Sequence, residues 1–329
     1  MKILIMGAGA LGSAAGGFLA RAGHEIHLVG RKAHMDAISR DGLHITGIWG
    51  EHRVKTLHAH TGVDTVAAGD MDLVLIAVKS YDTQRVVNLV VPLLAEDALI
   101  CSYQNGLGNA EAIADRAGWR RTLGARVIYG ARINGPGEVE ITVIAAPTAI
   151  GAYDPGVPAG AARIVAEAMD QAGLPTVETD AIRTVLWSKV AYNCALNPLS
   201  ALLDVPYGAL AECDHTRPVM DAVVHELYQV ADAEHIPLAP PTAEAYLDLF
   251  YNTLLPPTAA HYASMREDLR QGRRTEIDAL NGAIATLGAK HGIECRANAI
   301  LTALVHAREQ FARQGRQSKS AENGGRRPS

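Results

Sequence analysis

The first thirteen residues constrain the fold of this chain more than any other stretch. Lys2 to Met6 is a short apolar run, and the pattern Gly7-x-Gly9-x-x-Gly12 follows it at once. The Ala-rich segment from Ser13 to Ala22 comes next and has helical composition. The order predicts a strand, a tight turn and a helix, as at the start of a parallel α/β sheet.

Glycines at this spacing suit the binding of a pyrophosphate. The first glycine permits a sharp turn, the second lets the backbone approach the phosphates, and the third lets the helix pack close to the strand. The phosphates then lie on free N–H groups at the helix N-terminus, where the helix dipole favours an anion. We predict dinucleotide binding here, with a merely structural turn as the alternative.

The same stretch could be mistaken for a signal peptide, because Lys2 precedes an apolar region of small residues. Glycines interrupt that region, and no uninterrupted apolar run of about 18 residues occurs in the chain. We therefore expect a soluble, cytoplasmic protein that does not associate with a membrane.

Composition restricts the partners. A chain of 329 residues usually divides into two domains, and a formal net charge of -5 gives no reason to expect nucleic acid or an anionic membrane as partner. The four cysteines form no CxxC pair, which argues against a zinc site or a disulfide framework. Reduced thiols in the cytosol fit this pattern.

The spacing of the histidines in the sequence does not predict a metal site. His58 and His60 alternate in a strand-like segment, so they share one face, but no third ligand is expected near them. His24 and His27 are also close in sequence, with His24 in the turn before a strand. We expect no bound metal.

The residues that follow the second predicted strand, Glu25 to Val29, indicate which dinucleotide the chain binds. An acidic residue about 20 positions after the glycine motif would bind a ribose 2′-hydroxyl and repel a 2′-phosphate. The chain has Gly30-Arg31-Lys32 there instead. Two cations without a carboxylate favour NADP(H), with Arg31 as the better phosphate ligand. The alternative is a solvated charge pair at the start of a helix.

Two further strands are expected to carry binding residues at their carboxyl ends. The segment from residue 41 to 68 has a loose pattern and is predicted to be a surface hairpin. Asp72 to Val78 is a continuous apolar run, typical of a buried parallel strand, and ends at Lys79. Ala98 to Ser102 is the next strand, and Asn105 follows it. In open α/β sheets binding groups collect at these ends.

The α/β pattern stops near residue 179. Leu123 to Gly151 alternates around Asn134-Gly-Pro-Gly137 and predicts an antiparallel hairpin appended to the sheet. A helix from Ala161 to Ala172 and a short strand from Thr176 to Glu178 follow. From Asp180 onward nearly every segment has helical periodicity, which predicts an all-α second domain.

The helix that opens the second domain is unusual. Asp180 is its predicted N-cap, and Pro198 should kink or end it. Within this apolar helix Lys189, Asn193 and Asn197 recur at i, i+4 and i+8, so they lie on one stripe. Since burying these groups without partners is costly, they either form a satisfied internal network or face a cleft and bind a polar ligand.

A second polar segment begins at Ser264. Ser264 to Arg270 predicts a short helix, and Thr275 with Asp278 forms a predicted capping box. Glu276 lies between them and is not needed for the cap. The last helix is expected from about Arg296 to Gln314.

The expected domain organisation follows. Residues 1–179 form a Rossmann-type α/β domain, residues 180–315 a helical substrate and catalytic domain, and residues 316–329 a disordered tail.

The motifs together resemble a known family. The chain resembles the ketopantoate reductase (2-dehydropantoate 2-reductase) family in segments that span almost all of it: GAGALGS at 7–13, AVKSYDT at 77–83, QNGLGN at 104–109, KVAYNCALNPLSAL at 189–202 and SMREDLRQGRRTEID at 264–278. The K-x3-N-x3-N-P helix and the S-x3-D segment followed by TEID are specific to this family. The glycine motif is shared with many dehydrogenases.

The resemblance implies an NADPH-dependent oxidoreductase of pantothenate biosynthesis that acts on a small 2-keto acid. It also implies a helical domain like that of 6-phosphogluconate dehydrogenase, with the active site in the cleft between domains. The family's proton donor falls on Lys189. Its substrate contacts fall on Asn105, Lys189, Asn193, Asn197 and Ser264. Its cofactor contacts fall on Gly7, Ala8, Gly9, Ala10, Leu11, Gly12, Arg31, Lys79, Asn105, Ala131 and Glu276.

One departure from the family pattern concerns the substrate. A further substrate-binding asparagine of the family corresponds here to Tyr207, just before Gly208. A phenol would reshape the pocket, so a paralogous reductase of another 2-keto acid is an alternative. A non-catalytic dinucleotide-binding regulator is a second alternative. The sequence leaves a monomer and a homodimer both open.

Overall fold

A computed structural model describes the backbone of residues 1–324 and the side chains of residues 1–314. The chain divides into two compact units, the first from Met1 to Leu186 and the second beginning at Trp187. This division falls inside a helix, whereas the sequence placed the boundary near residue 179.

The first unit contains an eight-stranded sheet. Its strands, in chain order, are β1 (Lys2–Met6), β2 (Glu25–Val29), β5 (Leu57–His60), β6 (Met71–Ile76), β7 (Leu94–Ser102), β8 (Thr122–Arg126), β11 (Thr148–Ala152) and β12 (Thr176–Glu178). Across the sheet they lie in the order β12-β11-β8-β7-β6-β1-β2-β5. Six neighbouring strands of this sheet are parallel, in the spatial order β5, β2, β1, β6, β7 and β8. Strand β11 pairs antiparallel with β8. Numbered among themselves, these six follow the doubly wound order 3-2-1-4-5-6.

Five helices complete this unit. They are α1 (Ala10–Arg21), α2 (Lys32–Asp41), α3 (Thr83–Val90), α4 (Asn109–Ala117) and α5 (Ala161–Gln171). The predicted α/β class is confirmed, and the predicted strands at residues 2–6, 25–29 and 176–178 coincide with β1, β2 and β12.

A second, four-stranded sheet was not predicted. It has the order β4-β3-β10-β9 and consists of β3 (Leu43–Gly47), β4 (His52–Val54), β9 (Tyr129–Gly135) and β10 (Glu138–Ile144). The expected hairpin around residues 134–137 does form, but it belongs to this sheet and is not appended to the main one. The sheet forms because β3 pairs with β10, a long-range contact that local patterns do not reveal.

Helix α1 lies between the two sheets, and consecutive glycines make this possible. A β-carbon at Gly16 would press on Ile5 and Ile26 of the main sheet, and one at Gly17 would lie 2.4 Å from Ile45 of the second sheet. Leu43 and Ile45 are fully buried. The segment from residue 41 to 68 is therefore partly core, and the prediction of a surface hairpin was wrong about its burial.

The second unit is helical, as predicted. It contains most of α6 (Ile182–Leu203), the helix in which the division falls. Its other helices are α7 (Tyr207–Glu212), α8 (Arg217–Ala233), α9 (Ala243–Leu249), α10 (Ser264–Arg270), α11 (Asn281–Lys290) and α12 (Arg296–Gly324). Along residues 1–324, no helix combines the length and apolarity that crossing a bilayer requires.

Helix α6 continues through Pro198, so it does not end at this residue, which was one of the two predicted outcomes. A proline has no N–H to donate to the carbonyl four residues earlier, which here belongs to Cys194. The side-chain amide of Asn281 donates to that carbonyl at 3.1 Å. A residue far along the chain thus replaces the missing helical hydrogen bond. The helix begins at Ile182, directly after Ala181, so Asp180 is not its N-cap.

The expected capping box is also replaced by a distant partner. The Thr275 hydroxyl accepts from the N–H of Ile277 at 3.3 Å, but the Thr275 N–H donates to the buried Glu309 of α12 at 2.6 Å. Asp278 instead pairs with Arg274 and His306. The capping carboxylate therefore comes from α12 and not from the same turn.

The last helix is longer than predicted. It was expected to end near residue 314 and extends to Gly324, so most of the expected tail from residue 316 is helical. Its residues include good helix formers such as Gln, Arg, Lys, Ala and Glu. The remaining residues of that tail, 325–329, lie outside the described residues.

Candidate active site

The glycine loop after β1 has little room for side chains. Gly7 has a positive φ of 113°, and a β-carbon there would lie 2.6 Å from the Val78 nitrogen. A β-carbon at Gly12 would lie 2.1 Å from the Gly7 carbonyl oxygen. The first and third glycines of the motif are thus required by the protein's own backbone.

The second glycine differs, since a β-carbon at Gly9 would meet no protein atom within 4 Å. Gly9 precedes α1, and neither a capping side chain nor an acidic residue occupies the first turn. The first intrahelical bond runs from the Ser13 N–H to the Gly9 carbonyl, which leaves the preceding N–H groups for a ligand. Open space beside free N–H groups fits a pyrophosphate.

The loops that follow β6 and β7 lie beside the glycine loop. Ala77 donates its N–H to the Met6 carbonyl at 2.8 Å, which joins the end of β6 to the end of β1. The Ser80 hydroxyl donates to the Asn105 carbonyl at 2.9 Å. Lys79 and Asn105, both half-buried, are therefore held at neighbouring carboxyl ends of the sheet.

Buried polar side chains fasten these two loops. The Gln104 amide donates to the Val78 carbonyl at 2.9 Å and to the Thr83 hydroxyl at 2.7 Å. Asn109 donates to the Asn105 carbonyl at 2.9 Å and accepts from Thr83. These supporting roles were not predicted from the sequence, although Gln104 and Asn109 are the first and last residues of the segment QNGLGN.

Arg31 and Ala131 lie on different elements of the first unit. Arg31 is exposed and precedes α2, directly after Gly30, where a β-carbon would lie 2.5 Å from that of Ala8. Ala131 is on β9, half-buried against the core that includes α1. The same strand reaches α1 through the Tyr129 hydroxyl, which donates to the Leu11 carbonyl at 3.4 Å.

In the second unit, α6 carries the polar stripe predicted from the sequence. Lys189 and Asn193 are half-buried, and Asn197 is buried. The Tyr207 hydroxyl donates to the Asn197 side-chain oxygen at 2.8 Å. Burial raises the pKa of the Tyr207 phenol above its usual range, which keeps it protonated as a donor. At the Asn197 end, the stripe is thus an internal network.

Ser264 is tied to the same helix through the backbone beside it. It is the exposed first residue of α10, and the preceding residue, Ala263, donates its N–H to the Ser200 hydroxyl at 3.3 Å. Ser200 lies on α6, three positions after Asn197. It was not predicted as a site residue, and its position on the polar stripe is the signal that could have found it.

Glu276 is half-buried in the turn that begins the next segment. The Thr275–Glu309 hydrogen bond described above fixes the residue before it. Glu309 has no sequence signal of its own, because its partner lies 34 positions away.

The expectation that no third ligand lies near His58 and His60 was wrong. The pairing of β2 with β5 brings His27 and Glu25 beside them. Strand pairing between distant segments produced this cluster, which sequence spacing cannot show.

Family comparisons agree with the motifs. A family model described as ketopantoate reductase PanE/ApbA matches residues 3–155, and the model of its C-terminal part matches residues 181–309. The chain belongs to the ketopantoate reductase family.

Relatives of this ketopantoate reductase family member cover it almost completely. The 2-dehydropantoate 2-reductase of Aquifex aeolicus is 40% identical over 311 residues, which are 94% of this chain and 98% of that one. The structure of a PanE/ApbA family ketopantoate reductase from Ralstonia eutropha superposes with a TM-score of 0.85 at 35% identity, covering 95% of this chain and 100% of that one.

A third comparison is to an enzyme of different name. The structure of D-mandelate dehydrogenase with NADH and anilino(oxo)acetate superposes with a TM-score of 0.84 at 26% identity, covering 95% of this chain and 99% of that one. The predicted family and fold class are confirmed. The roles assigned to individual residues stay predictions.

Proposed function

We propose that this protein reduces 2-dehydropantoate to (R)-pantoate with NADPH, as a cytoplasmic enzyme of pantothenate biosynthesis. The observation that carries the proposal is the stripe of Lys189, Asn193 and Asn197 on α6 in a chain that also has the family's glycine loop. A lysine and two amides suit a ligand with a ketone, a hydroxyl and a carboxylate.

NADPH, when bound, supplies the hydride that reduces the ketone carbon. Lys189 is assigned the role of proton donor. Its ammonium polarises the carbonyl and then donates to the oxygen that gains negative charge. Asn105, Asn193, Asn197 and Ser264 hold the hydroxyl and carboxylate of the substrate. Glu276 contacts the cofactor and orients the ammonium.

The cofactor is assigned to the first unit. The loop from Gly7 to Gly12, which includes Ala8, would hold its pyrophosphate, with Ala10 and Leu11 contributing N–H groups. The Ala8 N–H is already donated to the Val29 carbonyl at 2.9 Å. Lys79, Asn105 and Ala131 contact the rest of the molecule.

Arg31 is assigned the role of binding the 2′-phosphate of NADPH. Lys32, the other candidate, forms an ion pair with Asp36 at 2.9 Å, whereas Arg31 precedes α2 with an exposed side chain. A planar guanidinium also matches a phosphate better than an ammonium does.

A second candidate is the reduction of another 2-keto acid by the same chemistry. Two observations favour it. The Tyr207 hydroxyl donates a hydrogen bond to the side-chain oxygen of Asn197, and a structural relative is a D-mandelate dehydrogenase. A fixed phenol beside a substrate amide alters the shape and polarity of the pocket, so the preferred acid can differ from ketopantoate.

The test is NADPH oxidation by the purified protein with ketopantoate, pyruvate, 2-ketoisovalerate and phenylglyoxylate. Turnover with the highest kcat/KM on ketopantoate supports the first candidate. Highest kcat/KM on another acid supports the second. NADPH binding without turnover of any acid would contradict both and leave a dinucleotide-binding regulator.

The variant Tyr207→Asn separates the two candidates further. If Tyr207 sets specificity, this variant shifts the ratio of kcat/KM between phenylglyoxylate and ketopantoate toward ketopantoate. Tyr228→Phe is the matched control, since the Tyr228 hydroxyl donates to the Pro240 carbonyl on a different element. An unchanged ratio in Tyr207→Asn would contradict a specificity role.

A further inference from the structure

The edge of the main sheet carries a cluster of imidazoles that the proposed reaction does not use. Strands β2 and β5 pair in parallel, with His27 opposite His58 and Val29 opposite His60. Ile26 and Leu28 are fully buried on the face of β2 that packs on α1. Because side chains alternate along a strand, the imidazoles project from the opposite face.

The side chains on that face are close together. The ring of His27 is nearly parallel to those of His58 and His60, with ring centroids 4.8 Å and 5.1 Å apart. Glu25, two residues before His27, places its Oε1 at 3.2 Å from His27 Nε2. One ligand atom each from Glu25, His27 and His58 lies within 4.8 Å of the others.

These distances suit a metal ion. Zinc bonds to imidazole nitrogen and carboxylate oxygen are about 2.0–2.2 Å, so two ligand atoms of a tetrahedral site are roughly 3.3 Å apart. The Glu25 and His27 atoms already have this separation. His58 is exposed, and rotation about its side-chain torsions closes the remaining distance.

The other nitrogen of His27 is held by a relay. His27 Nδ1 lies 3.0 Å from His60 Nε2, and His60 Nδ1 lies 2.7 Å from the Thr65 hydroxyl. A metal on His27 Nε2 leaves Nδ1–H to donate to His60, whose Nδ1–H then donates to Thr65. Metal-bound histidines are usually oriented by such a partner on the second ring nitrogen.

The relay is satisfied with or without a metal. In the metal-free state His27 Nε2–H donates to Glu25, His60 Nε2–H donates to His27, and the Thr65 hydroxyl donates to His60. Since a hydroxyl both donates and accepts, the His27–His60 and His60–Thr65 hydrogen bonds can both reverse when a metal replaces the proton on Nε2. Binding therefore shifts tautomers and releases no net proton.

We propose that Glu25, His27 and His58 bind a divalent transition-metal ion of the zinc class. Two imidazoles and one carboxylate are borderline ligands that suit zinc, and the exposed side of the cluster leaves a position for water. His60 and Thr65 orient His27. The nearest cation in β1, Lys2, pairs with Asp70 at 2.6 Å.

The site is distinct from the dinucleotide loop. Glu25 begins β2, and the loop contacts its end, where Gly7 and Ala8 donate to the Val29 carbonyl. Four residues of strand separate the two ends by about 13 Å. The proposal therefore does not depend on the proposed reaction.

The test is calorimetric titration of the full-length protein with Zn²⁺, repeated with Co²⁺ to read tetrahedral coordination from its absorption spectrum. One ion should bind per chain. His58→Ala and the isosteric Glu25→Gln should weaken binding at least about tenfold, and His60→Ala about 10- to 100-fold. Circular dichroism and thermal unfolding show whether each variant is folded.

Two control variants distinguish this site from ordinary surface binding. His44→Ala removes a His–Glu pair of the same unit, in which His44 Nε2 lies 2.9 Å from Glu51. This pair does not belong to the cluster of Glu25, His27 and His58. His24→Ala removes a histidine 3.3 Å from the N-terminal amine. Both should bind as the parent does. Absence of stoichiometric binding, or equal binding by His58→Ala and His44→Ala, would overturn the proposal.

Discussion

The glycine loop of the first unit and the polar stripe of the second are built by opposite means. The loop offers backbone N–H groups, and its shape is imposed by contacts within 80 residues of the N-terminus, such as Gly7 against Val78. The stripe offers side chains from α6, and distant helices support it. Asn281 and Asn298, both fully buried, connect α6 to α8 through a hydrogen bond between their amides.

In both regions, the residues that stabilise the fold are different from the residues that face the proposed ligand. In the loop, the residues that shape the backbone and the residue left open to the ligand are separate glycines. In the stripe, the polar side chains and the amides that support their helix lie far apart in sequence. Substitutions can therefore separate ligand binding from stability in both regions.

The largest effect is expected for Lys189→Ala. Loss of the proton donor should lower kcat about 10²- to 10⁴-fold, while the Kd for NADPH stays unchanged because the glycine loop is intact. Steady-state kinetics and fluorescence titration of NADPH measure the two effects. Lys290→Ala is the control, since Lys290 pairs with Glu234 on the surface. Near-normal kcat in Lys189→Ala would remove the lysine from the mechanism.

Gly12→Ala and Gly9→Ala should separate folding from binding in the loop. The first places a β-carbon 2.1 Å from the Gly7 carbonyl oxygen and should lower the free energy of unfolding by about 1–3 kcal/mol. The second meets no protein atom and should leave stability unchanged while weakening NADPH at least about tenfold. Urea unfolding and NADPH titration check both. Full affinity in Gly9→Ala would contradict the pyrophosphate site.

Asn281→Ala should cost about 1–3 kcal/mol of unfolding free energy, because the Cys194 carbonyl then lacks a donor. Adding Pro198→Ala restores the helical N–H four residues later and should recover part of that loss. The double-mutant cycle is measured by urea unfolding. Asn252→Ala, which removes an exposed bond to Asp248, is the control. Strict additivity of the two substitutions would contradict the coupling.

The smallest effect concerns His34 of α2, which links α1 to the turn between β9 and β10. The Gly137 N–H donates to His34 Nδ1 at 2.9 Å, so Nε2–H is the donor to the Ser13 hydroxyl at 3.0 Å. Burial lowers the pKa of His34 in the folded protein. The unfolded chain, with a pKa of about 6.5, therefore binds more protons, and stability falls as the pH drops below that value.

The measurement for His34 is the urea midpoint between about pH 7.5 and pH 5.5, the window in which the unfolded imidazole takes up its proton. His34→Gln should reduce the pH dependence in this range. His261→Gln, at an exposed position, should retain it. An unchanged slope in His34→Gln would show that other groups cause the acid sensitivity.

By itself the sequence determined the α/β class, the glycine loop and the placement of the lysine and both asparagines on one helix. These features depend on residues within a few turns or one strand of each other, so periodicity and glycine spacing reveal them. Lys79 and Asn105 each follow a predicted parallel strand. Because parallel strands align their carboxyl ends, the sequence also predicted that these two residues lie at neighbouring strand ends.

Tertiary structure alone decided the features that depend on distant partners. The second sheet required β3 to meet β10, and the continuation of α6 past Pro198 required Asn281. The cluster of His27 and His58 required β5 to join β2. Each is a hydrogen bond or strand pairing between segments separated by tens of residues, and local propensity carries no information about which distant group will supply the partner.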